Sequence, residues 1–154
     1  MHLASNFTFV KGIGKDCKNE LLSFDTALCS AGIGNYNIVR VSSILPSYAV
    51  QKENIEVTKG SVLYVAYATK TIFGVGRIAS AISVGIPLNP VEIGVIMEYS
   101  ASKDKESAIE CSREMVKKSM EYRKVALKNI FSVGIEAIQE EQQYLTTFAG
   151  IVLW

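Results

Sequence analysis

The chain has 154 residues, 49% of them hydrophobic and 20% charged, with 16 basic side chains against 15 acidic ones. At this length one compact domain, residues 1–154, buries roughly two thirds of the surface that its unfolded form exposes, which excludes intrinsic disorder. A net charge of +1 leaves no surplus for a phosphate backbone, and the longest apolar stretches, about ten residues, fall well short of the roughly 20 that cross a bilayer, so neither nucleic acid nor membrane is expected as a partner and a cytoplasmic protein is.

Asn6 to Lys11 alternates in the β manner, and Gly12-Ile13-Gly14 after it reads as loop, which gives a short first strand. From Asn19 to Ala31, Leu21, Leu22, Asp25, Leu28 and Cys29 recur at helical spacing, and Gly32 supplies a C-terminal stop. Asn37 to Ser42 is a β-branched strand that ends near residue 44, because Pro46 removes a donor and restricts Leu45. Residues 47–60 are polar and read as an exposed crossing, after which Ser61 to Thr71 resumes a strand. Ile78 to Ile86 places Ile, Ser, Ile, Val, Ile on one face and Ala, Ala, Ser, Gly on the other, so a second layer can approach closely on the small side.

Gly94 to Ser100 is a further strand. Lys103 to Lys128 is the longest helix, with Ile109, Val116, Met120 and Leu127 on one stripe that Cys111, Met115 and Tyr122 widen. Strands Asn129 to Glu136 and Tyr144 to Leu153 close the chain. Two helices set apart from six or seven strands predict an α+β fold, a layered sandwich of two stacked sheets with helices outside (αββα).

The histidine count limits the chemistry. His2 is the only one, so no Ser/His/Asp or Cys/His arrangement can be built. Cys17, Cys29 and Cys111 are odd in number and in no CxxC spacing, which supports neither disulfides nor a metal site. Cys29 and Cys111 read as core residues and Cys17 as a loop residue. An enzyme here must use carboxylates, a bound cofactor or a group made from its own backbone. The pairs Gly12/Gly14, Gly32/Gly34 and Gly74/Gly76 lack the third glycine of a phosphate loop and read as turns. The charged helix reads as a solvated face.

Alternation points Glu98 to one face of an otherwise apolar strand. It is either a poorly solvated acid, available near neutral pH, or an edge-strand carboxylate in water. Asp25 is the sole acid between Glu20 and Glu53 and falls among the apolar positions of the first helix, as a site residue or an ordinary surface charge. Asn35 and Asn37 flank the start of the next strand, which alone means turn chemistry.

The stretch Ser23-Phe-Asp25-Thr-Ala-Leu28, followed by Ala31-Gly-Ile-Gly-Asn35-Tyr-Asn37-Ile-Val-Arg-Val-Ser42-Ser43-Ile-Leu-Pro46, resembles the pyruvoyl-dependent arginine decarboxylases. The resemblance continues through Ser80-Ala-Ile-Ser-Val-Gly-Ile-Pro87, Gly94-Val-Ile-Met-Glu98-Tyr99, the helix from about Asp104 and the closing strand with Trp154. Residues 1–20 match only loosely, Ser47 stands where a second proline is common, and Lys70 to Arg77 aligns poorly.

The resemblance implies that Ser43 becomes a covalent pyruvoyl group. Its hydroxyl attacks the Ser42 carbonyl, the peptide becomes an ester, and elimination splits the chain into 1–42 and 43–154. The dehydroalanine left at the cut hydrolyses to a ketoacyl group. Asn37 is implied to assist by polarising the scissile carbonyl. The new carbonyl forms a Schiff base with the α-amine of L-arginine and acts as electron sink while carbon dioxide leaves, giving agmatine. Glu98 aligns with the proton donor to the α-carbon, and Asp25 with the acid that receives the guanidinium. The family points to a homotrimer or a dimer of trimers, with Asp25 and Ser43 facing Glu98 of a neighbouring chain. Two alternatives stand beside this reading. One is a pyruvoyl decarboxylase for another amino acid such as histidine, against which Asp25 argues; the other is a non-cleaving binding or structural homologue, against which the intact Ser42-Ser43 pair with Asn37 argues.

Overall fold

Two sheets stack face to face in the computed structural model, which describes residues 3–154; His2 lies outside them. The strands are β1 (Asn6–Asp16), β2 (Asn37–Arg40), β3 (Ile44–Leu45), β4 (Val50–Gln51), β5 (Val62–Phe73), β6 (Gly76–Pro87), β7 (Gly94–Ala101), β8 (Leu127–Gln139) and β9 (Tyr144–Leu153). The helices are α1 (Glu20–Ser30) and α2 (Lys105–Tyr122). The first sheet runs β2-β5-β9-β1-β4 and the second β3-β7-β6-β8. Phe7, Leu45, Ala66, Ile82, Val84, Ile96, Ile151 and Leu153 fill the space between them. Outside the first sheet α1 packs Ala27 and Leu28 against Leu63, Val65 and Phe148, and outside the second α2 packs Val116 and Met120 against Val95 and Ile130. This is the expected helix-sheet-sheet-helix sandwich. No helix among the described residues is long and apolar enough to cross a membrane.

The small-residue face of β6 behaves as its alternation predicts. Ala79 and Ala81 lie under Ala108 of α2, and a Cβ on Gly85 would stand 2.6 Å from Val116 Cγ1. Other elements differ from expectation. β1 does not stop before Gly12 but runs on to Asp16, paired residue by residue with β9. Its glycines serve close approach instead of a turn: a Cβ on Gly12 would lie 2.2 Å from the Ala27 carbonyl oxygen, and one on Gly14 2.0 Å from that of Ser23. Because α1 settles on those glycines, it buries the small Ser23 and Ala27 along with Leu28, keeps Phe24 partly buried, and turns Leu21, Leu22 and Cys29 outward. Cys29 is therefore exposed, not a core residue, and Cys111 is only partly buried.

The caps of α1 follow the sequence closely. Asn19 Oδ1 accepts from the N–H groups of Leu21 and Leu22, and Gly32 takes φ +79° just past the end. The long helix ends at Tyr122, six residues short of expectation, with Lys124 at φ +57°. Leu127 already belongs to β8, opposite Pro87, so the chain must reverse between them. Leu127 still packs in the cluster with Val116 and Met120. Met115 and Tyr122 do not widen the stripe; both are exposed, Tyr122 by 88%. At the other end Asp104 caps α2, and the hydrogen bond from the Ser107 N–H holds its carboxyl below the ordinary value. The crossing at 47–60 is mostly exposed, but Val50–Gln51 adds a parallel edge strand to β1.

Candidate active site

β2 is an edge strand, parallel to β5 from Asn37 opposite Val62 to Arg40 opposite Val65. The Val41 N–H makes one more bond, to the Val65 carbonyl at 3.1 Å. The chain then leaves the first sheet and enters the second. The Ser43 carbonyl accepts from the Ile96 N–H at 2.7 Å, and Ile44 lies opposite Val95. The Ser42–Ser43 peptide is thus the crossing between the layers, outside any regular strand. Ser42 is exposed and Ser43 half-buried, and neither hydroxyl is hydrogen-bonded among the described residues.

Since β2 stops at Arg40, the next carbonyls on that side of β5 lose their strand partner and must be satisfied otherwise. Arg40 Nη2 donates to the Tyr67 carbonyl at 3.2 Å, and Ser100 Oγ to that of Thr69 at 3.1 Å. The Arg40 guanidinium lies 4.7 Å from the centroid of the Tyr67 ring, within cation–π range. That ring stacks on Phe148 with centroids 5.0 Å apart, and Phe24 of α1 approaches it at 6.3 Å. Arg40 Nη2 also pairs with Glu98 Oε1, across the two sheets.

Glu98 stands on the inner face of β7 with Ile96 and Ser100, opposite Ile82 of β6. Alternation therefore identifies its face, but the side chain is one third exposed and ion-paired, not a lone acid among apolar groups. It follows Ile96 by two residues, about 7 Å along the strand. One chain thus brings Ser43 and Glu98 to the same crossing, whereas the family resemblance implied that Ser43, together with Asp25, faces Glu98 of a neighbouring chain.

Asn37 and Asp25 are not brought there. Asn37 sits at the far end of β2, five residues before Ser42 and so about 16 Å away along extended backbone, and its Nδ2 donates to the Gly60 carbonyl at 2.9 Å. Asp25 is exposed on α1 and touches none of the other three. It lies one turn after Leu21, which lines an open cleft of about 510 Å³ with Phe24, Thr69 and Thr71 along the uncovered edge of β5. Sequence reasoning missed Arg40 and Tyr67. The available signal was that Arg40 is the only charged residue between Asn37 and Pro46. Among the described residues no three His, Cys, Asp or Glu side chains come together as a metal site.

The family model described as pyruvoyl-dependent arginine decarboxylase matches residues 6–154. The chain is also 36% identical over 151 residues to the pyruvoyl-dependent arginine decarboxylase of Methanococcus vannielii, covering 97% of this chain and 90% of that protein. It belongs to this family. The enzymes of that name from Methanocaldococcus jannaschii (37% over 135 residues, 87% and 81% of the two chains) and Thermococcus kodakarensis (39% over 137 residues, 88% and 86%) give the same answer. A pyruvoyl-dependent arginine decarboxylase is a carboxy-lyase with a covalently bound pyruvoyl group. The crossing suits such a group. The peptide there holds no strand together, the Ser43 carbonyl that would survive a cut is held by Ile96, and a carboxylate stands on the same strand.

Proposed function

We propose that the chain cuts itself between Ser42 and Ser43 and that residue 43, converted to pyruvoyl, decarboxylates L-arginine to agmatine and carbon dioxide. The observation that carries this reading is the seating of a free Ser43 hydroxyl at the sheet crossing, its carbonyl on Ile96 and Glu98 on the same strand. In the cut, Ser43 Oγ attacks the Ser42 carbonyl carbon and the amide nitrogen leaves, which gives an ester. Loss of the residue-43 α-proton expels the Ser42 carboxylate. The dehydroalanine then takes up water and releases ammonia. Asn37 assists by donating to the oxygen of the attacked carbonyl. To do so it must exchange the Gly60 carbonyl for that oxygen, and the exposed edge of β2 leaves the exchange open to a neighbouring chain.

The pyruvoyl group supplies an electrophilic carbonyl that takes up the substrate amine and the electron pair released with carbon dioxide. Glu98 then delivers a proton to the substrate α-carbon. Asp25 receives the guanidinium, whose planar fork of donors matches a carboxylate and selects arginine over lysine. It does so from a neighbouring copy in a homotrimer or a dimer of trimers. Leu21 and Leu22 beside it, 72% and 51% exposed, support a covered face there.

Intact mass under denaturing conditions tests the cut. Chains of 1–42 and 43–154, the larger reactive towards phenylhydrazine and active on arginine, are expected. Full-length protein without a reactive carbonyl overturns the reading. Ser43→Ala is expected to stay whole and inactive.

A further inference from the structure

Of the three ion pairs among the described residues, Lys105–Glu106 and Glu114–Lys117 lie within α2, and only Arg40–Glu98 joins the two sheets. It also spans the proposed cut, since Arg40 belongs to 1–42 and Glu98 to 43–154. A pair this exposed contributes little to stability, so its geometry calls for another explanation. Arg40 is fixed from three directions: the Tyr67 carbonyl, the Tyr67 ring and the Glu98 carboxylate. Tyr67 is itself stacked on the buried Phe148. A guanidinium so anchored is a rigid fork, whereas an unpartnered glutamate on a partly exposed edge would spread over several rotamers.

We infer that Arg40 is a positioning residue for Glu98. Its Nη2 engages Oε1 and leaves Oε2 to take a proton from solvent and pass it to the α-carbon of the decarboxylated substrate. The inference rests on the reading of Glu98 as proton donor. It extends that reading to a residue with no contact to the reacting atoms, and to Tyr67 as its base. Anchor and acid fall on opposite sides of the proposed cut, so after scission Arg40 would stay at Glu98 only through its non-covalent contacts with Tyr67 and the carboxylate.

The test is a double-mutant cycle of Arg40→Met and Glu98→Gln, with turnover expressed per cut chain from intact mass. Arg40→Met is expected to lower kcat on the order of 10-fold to 10²-fold, the penalty of a misplaced catalytic group, with KM changed much less. The urea midpoint should barely move. Arg40→Lys, which keeps a charge but not the fork, recovers part of the loss. In the Glu98→Gln background Arg40→Met costs nothing further. If Glu98→Gln is slow while Arg40→Met turns over normally, or if the two losses multiply, the positioning role is overturned and the proton-donor reading stands. If Glu98→Gln itself keeps the normal kcat, the proton-donor reading fails and takes this inference with it. Should Arg40→Met stay uncut, Arg40→Lys carries the same cycle: a loss confined to the background with Glu98 intact supports the role, and no loss or a multiplying one overturns it.

Discussion

Ser43 and Glu98 are 55 positions apart in sequence, yet the backbone pairing of β3 with β7 sets them at one crossing. In the proposed reaction Glu98 acts on the substrate and not on the peptide, so Glu98→Gln is expected to leave the cut intact and to slow decarboxylation on the order of 10² to 10⁴. Single-turnover assays on fully cut protein check this; normal rates would make Glu98 merely a solvated carboxylate. At this scale the motif singled out the serine pair that we propose is cut, and alternation gave the face of Glu98. It did not reveal Arg40 against Glu98 or Tyr67 beneath Arg40. Both depend on where β2 stops and β5 continues, a relation between strands that no local pattern encodes. Asn37 illustrates the converse: the motif names the residue, but the direction of its amide is set by the Gly60 loop.

At the scale of elements, the contact of α1 with β1 decides where Phe24 and Asp25 stand. A methyl on Gly14 would meet backbone at 2.0 and 2.3 Å, from Ser23 and Ala27, so no rotamer change can relieve it and the helix must lift. Gly14→Ala should therefore destabilise by about 3 kcal/mol, the upper part of the range for overpacking, read from urea unfolding. It should also weaken arginine binding, since the proposed guanidinium acceptor Asp25 lifts with the helix; an unchanged midpoint would show that α1 is free to shift. The strands and helices were legible from period and caps, as the full match of Tyr144–Leu153 and the Asn19 cap illustrate. Two misreadings share one cause. Gly12 and Gly14 suggested a turn, and Leu127 a continued helix, because local spacing does not tell whether a residue answers to its own element or to a neighbour packed on it.

At the scale of the whole molecule, the separation of Asp25 from the crossing predicts complementation between chains. Asp25→Ala and Glu98→Gln proteins, each impaired on arginine, are expected to regain part of the activity when dissociated and reassembled together, because some sites then draw an intact acid from each. A mixture that stays inactive although light scattering shows mixed assemblies would place the whole site in one chain. Sequence pointed to an oligomer through its family resemblance and the small size of the domain; the outward turn of Leu21 and Leu22 is a fact of packing.

The place of β1 has a consequence for the life history of the protein. β1 lies inside the first sheet, between β9 and β4, with ten residues paired to β9. A cut at Ser42–Ser43 therefore makes β1 part of a separate peptide that is still woven into its partner. Before the cut, assembly of that sheet is a search within one chain; afterwards it becomes an encounter between two molecules, and its equilibrium depends on dilution. Uncut Ser43→Ala should regain its circular dichroism after denaturant dilution at a rate independent of concentration. The mature protein should refold more slowly the more dilute it is, and equal rates for both would show that the strands find each other without the covalent link. Scission at that peptide would thus work as a ratchet: the molecule would be stable once made, but its instructions for remaking itself as a single chain would have been spent.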